Sequence, residues 1–231
     1  GKLYLIWTIV YLPLSLWGEF SLYGAGIKTG LADIACGILL RGANYNSWPL
    51  WYLLALTVSL MLVDIMEKEK ISNYEIFIAA SGLYLIGRFL DSIRTTAPGL
   101  ALFYQVFGTR NGLFYGFFYV SFGMLAAKLR LHGKLRYLFG VFLGIFMGVH
   151  FYSRVVVAYL SSALAVSSLF LWSVSISVKQ RPIYQWLREC GRIIYFIHML
   201  LFSFYSLILM PTERAGGARA FLFTFFCSFF I

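Results

Sequence analysis

The chain has 231 residues, of which 61% are hydrophobic and only 12% are charged. A soluble globular domain carries roughly 25% charged residues, so water cannot be the solvent for most of this surface. The net charge of +10 does not favour nucleic acid as a partner, because the basic residues stand between hydrophobic runs, as membrane-flanking charges do. These features exclude a soluble domain and indicate an integral membrane protein.

Long apolar runs predict membrane-spanning helices, because about 20 helical residues, each rising about 1.5 Å, cross a hydrocarbon core about 30 Å thick. About eight such runs are present, each bounded by charges or by Gly, Pro and Asn: Leu3–Phe20, Trp48–Met66, Tyr74–Ser92, Leu113–Ala127, Tyr137–Tyr152, Val155–Val178, Ile193–Met210 and Ala220–Ile231. The shorter, weakly amphipathic run Ile27–Leu40 predicts an interfacial or re-entrant helix. The pattern predicts an all-α, polytopic bundle that forms one membrane-embedded domain over residues 1–231. Gly140, Gly144 and Gly148 recur at four-residue intervals and predict close packing of another helix.

The basic residues predict an orientation, because they concentrate in alternate connections between the runs. Short cytoplasmic connections are enriched in Lys and Arg, so that side of the bundle is expected to face the cytoplasm. The residues concerned are Lys2, Lys68, Lys70, Lys128, Arg130, Lys134, Arg136, Lys179, Arg181, Arg188 and Arg192.

Ionisable residues also fall in the half of the bundle that this orientation places outside: Arg41, Arg88, Arg94, Arg110, Arg154 and His150. A charge deep in a span costs roughly 2.5–3.5 kcal/mol on insertion scales, so it usually faces protein or a wet cavity. Arg88 and Asp91 lie three residues apart on one helical face and are expected to pair. The arginines are either snorkelling to the interface or lining a cationic cavity for an anionic or carbonyl-bearing ligand. Glu19 and Asp64, near span ends, are expected to be solvated.

Three aromatic or imidazole side chains allow two interpretations. Trp48 and Trp51 begin the second run, where they belong either to a membrane-interface belt or to a binding surface. His198 lies inside the seventh run, as a packed, hydrogen-bonded residue or as part of a pathway. The three cysteines have no CxxC spacing, so the sequence predicts neither a metal site nor a disulfide framework.

Three segments occur in a fixed order: Trp48-Pro-Leu-Trp-Tyr-Leu-Leu54, Thr109-Arg-Asn-Gly-Leu-Phe-Tyr-Gly116 and Ile194-Tyr-Phe-Ile-His198. Together they resemble the acyltransferase-three family of bacterial membrane O-acyltransferases over nearly the whole chain. The resemblance implies a ten-helix fold in which the predicted spans correspond to helices three to ten. It implies a multi-pass protein of the bacterial inner membrane that moves an acyl group, often acetyl, from cytoplasmic acyl-CoA to a hydroxyl of an envelope or exported carbohydrate.

The resemblance also implies roles for particular residues. Arg110 and Asn111 are expected to stabilise the developing oxyanion or to hold the acyl donor, and Trp48 and Trp51 to stack on a sugar or line the donor path. Arg88, Arg154 and His198 complete the expected binding set, with acyl-CoA as a substrate and no bound cofactor. The family's catalytic histidine belongs to an Arg-x10-His helix that has no counterpart here, and Pro49 stands where the family often has histidine. The expected base therefore lies upstream of Gly1, the fragment is expected to be inactive alone, and His150 is a weak substitute.

A rival interpretation starts from the same fold. It resembles the membrane half of membrane-bound serine racemases, which implies uptake of a small molecule such as serine. A third possibility is a structural or assembly protein with no chemistry of its own. An Arg-x10-His helix upstream would favour the transferase, and a racemase domain after Ile231 would favour uptake.

Overall fold

The computed structural model describes residues 1–128, 135–152, 155–176, 179, 181–209 and 218–229. Within these ranges every regular element is a helix, which confirms the all-α prediction. The α-helices, in chain order, are α1 (Lys2–Trp17), α2 (Ile27–Cys36), α3 (Leu50–Lys68), α4 (Asn73–Ile93), α5 (Ala101–Val106), α6 (Phe117–Ala127), α7 (Leu135–Tyr152), α8 (Val155–Val174), α9 (Pro182–Phe204) and α10 (Ala218–Phe229). Short π-helical turns extend α1, α2 and α9 and precede α6, and they cover Gly18–Leu22, Gly37–Arg41, Tyr205–Leu209 and Gly112–Gly116.

Four helical stretches are long and apolar enough to cross a membrane: Lys2–Leu22, Leu50–Lys68, Asn73–Ile93 and Pro182–Ile208. Shorter apolar helices cover Gly112–Ala127, Tyr137–Phe151, Leu160–Val174 and Arg219–Ser228. Each predicted run therefore contains a helix, while the count of eight complete spans stays a prediction. The predicted span ends at Val178, Met210 and Ile231 lie outside the described residues.

One further helix prediction agrees with the structure, and the start of another differs from it. The run Ile27–Leu40 forms α2 and its π-helical extension, as the amphipathic pattern predicted. By contrast, α9 begins at Pro182 rather than near Ile193, so the predicted start of that helix was wrong. Proline fits the first helical position because its fixed φ suits a helix and its missing N–H would have no helical partner there. The helix therefore extends well beyond its apolar run.

The chain divides into two compact units, and the boundary falls inside α3. The first unit comprises Gly1–Leu54 with Gln180–Ile231, and the second comprises Ala55–Lys179. In the first unit, Tyr4, Tyr11, Leu50, Leu53 and Phe196 form a buried core. The Tyr11 hydroxyl donates to the Phe196 carbonyl at 2.5 Å and joins α1 to α9.

The second unit has its own core, in which Val63, Ile76, Ala80 and Phe117 from α3, α4 and α6 pack together. Helix α4 begins at a capping box, where the Ser72 side chain accepts from the Glu75 backbone N–H and the Glu75 carboxylate accepts from the Ser72 N–H at 2.8 Å. This reciprocal pair satisfies two backbone donors that a helix start otherwise leaves unpaired. Large apolar side chains remain exposed on every long helix, as expected of surfaces that face lipid.

Candidate functional site

The segment Thr109–Gly116 begins α6 through a tightly built turn in the second unit. Gly108 adopts a left-handed conformation with φ of 64°, which glycine tolerates without steric cost. Asn111 is buried, and its Oδ1 accepts hydrogen bonds from the backbone N–H groups of Leu113 and Phe114 at 2.9 and 3.0 Å. Its Nδ2 donates to the Gly108 carbonyl at 3.0 Å. Both polar atoms of the amide therefore hold the turn.

The turn itself is π-helical. The backbone N–H of Tyr115 and that of Gly116 both donate to the Asn111 carbonyl, at 3.1 and 3.0 Å. Such one-turn π segments occur frequently at functional sites in helical proteins. The Ser59 hydroxyl of α3 lies 2.8 Å from the Gly112 carbonyl and 2.6 Å from that of Ala55. Helix α3 and the turn are therefore in direct contact.

A buried ion pair lies beside this turn on α4. Arg88 is 6% exposed, and its Nη2 lies 2.8 Å from Oδ2 of Asp91, as the three-residue spacing predicted. The guanidinium carbon lies 5.1 Å from the ring centre of Tyr115 and 5.5 Å from that of Tyr84. Cation–π contact at these distances stabilises the guanidinium in a place that water reaches poorly. We refer to Arg88, Asp91, Tyr84, Tyr115 and Tyr119 as the arginine–tyrosine cluster.

Asp91 connects this cluster to the turn, because the Thr109 hydroxyl donates to its Oδ1. The three tyrosines contact one another, with ring centres of Tyr115 and Tyr119 separated by 5.2 Å and those of Tyr84 and Tyr115 by 5.7 Å. Sequence reasoning missed these tyrosines as site residues. A usable signal was present, since Tyr84 and Arg88 are four residues apart, as are Tyr115 and Tyr119, and each pair shares a helical face.

Tyr104, in the connection between α4 and α6, adds a further contact at the end of α4. Its hydroxyl donates to the Leu90 carbonyl, and the Arg94 guanidinium lies 5.2 Å from its ring centre. Burial raises the pKa of this hydroxyl, the Asp91 carboxylate raises it further, and Arg94 opposes the rise. The tyrosine therefore stays neutral and acts as a hydrogen-bond donor.

The two adjacent residues Arg110 and Asn111, to which the sequence assigned one role, have different environments. Arg110 is exposed, whereas Asn111 is buried and its amide is used by the turn. Arg110 is therefore free of the turn's internal packing and able to meet a ligand at the surface of this unit. The role of Asn111 in binding stays a prediction, and the observed contacts give it a structural role as well.

In the first unit, the first and third of the three ordered segments are in contact. The Tyr195 hydroxyl donates to the Pro49 carbonyl at 3.2 Å, and the ring centres of Tyr195 and Tyr52 are 6.1 Å apart. His198 follows on the same helix, half-buried, with Nδ1 3.1 Å from the Ile194 carbonyl. Trp48 is 63% exposed, which suits either an interface belt or a binding surface.

His150 and Arg154 were also predicted from the sequence as site residues. His150 is half-buried on α7, and its Nδ1 lies 2.9 Å from the Ser162 hydroxyl of α8. Arg154 lies outside the described residues. The described part of the chain contains no group of three or more His, Cys, Asp or Glu side chains that could hold a metal ion.

The end of α1 carries a second buried polar group, and here the sequence prediction was wrong. Glu19 is 8% exposed rather than solvated, because the π-helical turn Gly18–Leu22 directs it into the first unit near Asp33 and Arg41. Arg41 bonds to the Asp33 carboxylate and carbonyl, both at 2.8 Å. Asp64 is exposed, as predicted, and pairs with Lys68 at 2.6 Å.

A small cavity in the first unit has a volume of about 10 Å³ and is lined in part by Tyr4, Tyr11, Asn44 and Ser47. A space of this size holds at most one water molecule. The buried Oδ1 of Asn44, which accepts no hydrogen bond from the described protein groups, would be a natural partner for such a water. Because it holds at most one water molecule, the cavity is too small for a substrate.

Comparison with known proteins gives one partial similarity. No protein-family model matches the chain, and no solved structure matches it. The chain is similar to the serine/alanine racemase of Enterococcus gallinarum, with 33% identity over 135 residues. The match covers 55% of this chain but 18% of the racemase, so it concerns a minor part of that relative's length.

The amide of Asn111 gives a test of how the turn is built. Replacing it by alanine removes the acceptor for two backbone N–H groups, so we expect the free energy of unfolding to fall by about 1–2 kcal/mol. Asn111→Ser keeps a side-chain acceptor that suits a helix start and places no charge beside the Gly108 carbonyl, so it should retain most of the stability. The measurement is reversible unfolding of each variant in detergent micelles. Equal losses in both variants would show that the cap does not hold this turn.

Proposed function

We propose that this chain is the membrane-embedded domain of an O-acyltransferase. It would move an acyl group, most simply acetyl, from cytoplasmic acyl-CoA to a hydroxyl of an envelope or exported carbohydrate. The proposal includes a single multi-pass domain in the bacterial inner membrane, with about eight spans that correspond to helices three to ten of a ten-helix fold. The observation that carries it is the order of the three segments.

The arrangement of these segments supports the proposal. The first and third segments meet through Tyr195 and Pro49 in the first unit, so residues far apart in the sequence belong to one local structure. The second segment forms the capped π turn, whose Thr109 is joined to the arginine–tyrosine cluster by Asp91. Each of the three segments therefore has a defined local structure within its own unit, as expected of segments that serve a function.

Acyl transfer to a hydroxyl makes two chemical demands. A base must take the hydroxyl proton, which contributes typically 10²–10⁴-fold, and donors must stabilise the oxyanion that forms on the acyl carbonyl. Arg110 suits the second task, because it is exposed at the start of the turn and its guanidinium offers several donors in a fixed geometry. Within the chain, His150 remains the candidate base.

Arg110 provides the direct test of this proposal. With the intact protein in vesicles, Arg110→Ala should lower transfer of labelled acetyl from acetyl-CoA to isolated envelope glycan by at least about 100-fold. Membrane insertion and stability should be unchanged, because the side chain is exposed. Lys128→Ala, which removes an exposed cation of the same unit on the side predicted to face the cytoplasm, is the matched control. Normal acetyl transfer by the Arg110→Ala variant would contradict this role and would indicate that the Arg110 side chain only snorkels to the membrane interface.

A second candidate function, uptake of a small amino acid, is favoured by the similarity to the Enterococcus gallinarum protein. That protein is named a serine/alanine racemase, and a membrane domain attached to such an enzyme would have a role in supplying its substrate. Saturable uptake of labelled serine into vesicles, without any acetyl transfer, would favour this function over the first.

A further inference from the structure

The first three turns of α9 extend beyond the packed part of the first unit. Every residue from Arg181 to Arg188 is exposed, and the first buried residue of the helix is Phe196. The described protein residues therefore leave this stretch uncovered on all sides. We refer to Arg181–Arg192 as the α9 entry segment.

The α9 entry segment is amphipathic. At 100° per residue, Ile183, Trp186 and Leu187 lie on one arc of the helix, whereas Arg188 and Arg192 lie on the opposite one. The three apolar side chains are 51%, 56% and 49% exposed. An uncovered apolar face next to a charged face is the pattern of helices that lie in the membrane interface.

The charge of the segment is basic. Its three arginines, Arg181, Arg188 and Arg192, outnumber its single acidic residue, Glu189, so the net charge is +2. Glu189 lies between two of them, 3.8 Å from Arg188 and in direct contact with Arg192. This arrangement holds both guanidinium groups on the polar arc, where they face away from the apolar side chains.

Helix α9 is longer than the hydrocarbon core is thick, which places the α9 entry segment outside that core. The stretch Pro182–Ile208 has 27 residues and is therefore about 40 Å long, whereas the core is about 30 Å thick. The apolar run begins near Ile193, so the excess length lies at the α9 entry segment. Trp186 fits such a position, because tryptophan is enriched where the chain meets the headgroups.

We propose that the α9 entry segment binds the headgroups of anionic lipids. Its apolar arc contacts the acyl-chain boundary, and its arginines contact lipid phosphates. The net positive charge selects this occupant over a second copy of the chain, because two copies of a +2 segment repel each other. The inference is independent of whether the domain transfers acyl groups or takes up amino acids.

The test measures lipid preference at Cys190, which lies on the apolar arc of the segment. The full chain carrying Cys36→Ser and Cys227→Ser is labelled with a fluorophore at Cys190 and reconstituted in phosphatidylcholine vesicles. Spin-labelled phosphatidylglycerol and spin-labelled phosphatidylcholine are then compared as quenchers. We expect anionic lipid to be preferred, by about fivefold for each arginine engaged. High salt should reduce the preference.

Matched variants identify the residues responsible. R188Q/R192Q brings the net charge of the segment to zero and should lower the preference at least about fivefold. K68Q/K70Q removes two positive charges from another connection and should leave it unchanged. Equal quenching by both lipids in the parent protein, or an equal loss in both double variants, would overturn the proposal. Self-quenching that rises with the protein-to-lipid ratio, without headgroup preference, would instead identify a second copy as the occupant and would also overturn it.

Discussion

Asp91→Asn is expected to lower the free energy of unfolding by about 3–5 kcal/mol, because it removes the carboxylate partner of a buried arginine. Arg88 is 6% exposed and lies 2.8 Å from the Asp91 carboxylate. The exposed pair Asp64–Lys68 provides the matched control, since its two side chains are 61% and 72% exposed at a similar distance of 2.6 Å. Asp64→Asn should therefore cost less than about 1 kcal/mol. Reversible unfolding in detergent micelles measures both.

A double substitution separates the role of Arg88 in the fold from any role in function. Arg88→Met combined with Asp91→Thr removes both charges with side chains of similar volume and keeps a hydroxyl that can accept from Thr109; removing both members of a buried ion pair is often neutral or stabilising. We expect this variant to recover most of the stability that Asp91→Asn loses. Loss of transfer in a stable double variant would place the cation in the functional site. If Asp91→Asn costs no more than Asp64→Asn, the arginine–tyrosine cluster does not contribute to the stability of the second unit.

Gly112→Ala is expected to destabilise the protein by about 1–3 kcal/mol through overpacking. A Cβ at this position would lie 2.5 Å from Val58 Cβ and 2.8 Å from the Ala55 carbonyl oxygen of α3. The carbonyl belongs to the backbone of a helix, so it cannot move aside as a flexible side chain could. The same unfolding measurement in detergent detects the loss.

Gly123 of α6 provides the control for this prediction. A Cβ there meets no atom of the described residues within 4 Å, so Gly123→Ala should be neutral or should stabilise the helix by roughly 0.5–1 kcal/mol. Opposite signs for the two substitutions are the expected result. A neutral Gly112→Ala would mean that α3 and the π turn are not in the close contact described.

Features that depend on spacing within one helix could be predicted from the sequence. Each predicted apolar run contains a helix, although α9 begins well before its run, and Arg88 and Asp91 pair because three residues bring them to one helical face. The solvated position of Asp64 was also correct. Each of these features is determined by residues close together in the sequence, and contacts with distant segments change it little.

The sequence did not predict features that depend on which face of a helix or turn packs against another segment. Gly140, Gly144 and Gly148 predicted close helix packing, yet a Cβ at Gly144 or Gly148 meets no described atom within 4 Å. The glycine spacing shows that another helix could pack closely against this face of α7. Whether one does depends on which way the face is turned in the folded chain. Arg110 and Asn111 differ for a related reason, since a turn directs adjacent side chains to opposite environments. The contact of Thr109 with Asp91 joins the turn before α6 to α4 and has no signature in either segment alone.

The central claim is that the domain transfers acyl groups, and one measurement in a single preparation tests it most directly. Vesicles containing the intact protein are supplied with labelled acetyl-CoA on the cytoplasmic side, together with envelope glycan and serine that carries a second label. The proposal predicts acetyl label on the glycan at a rate that depends on Arg110, with no saturable accumulation of serine. Saturable serine accumulation with no labelled glycan would contradict it.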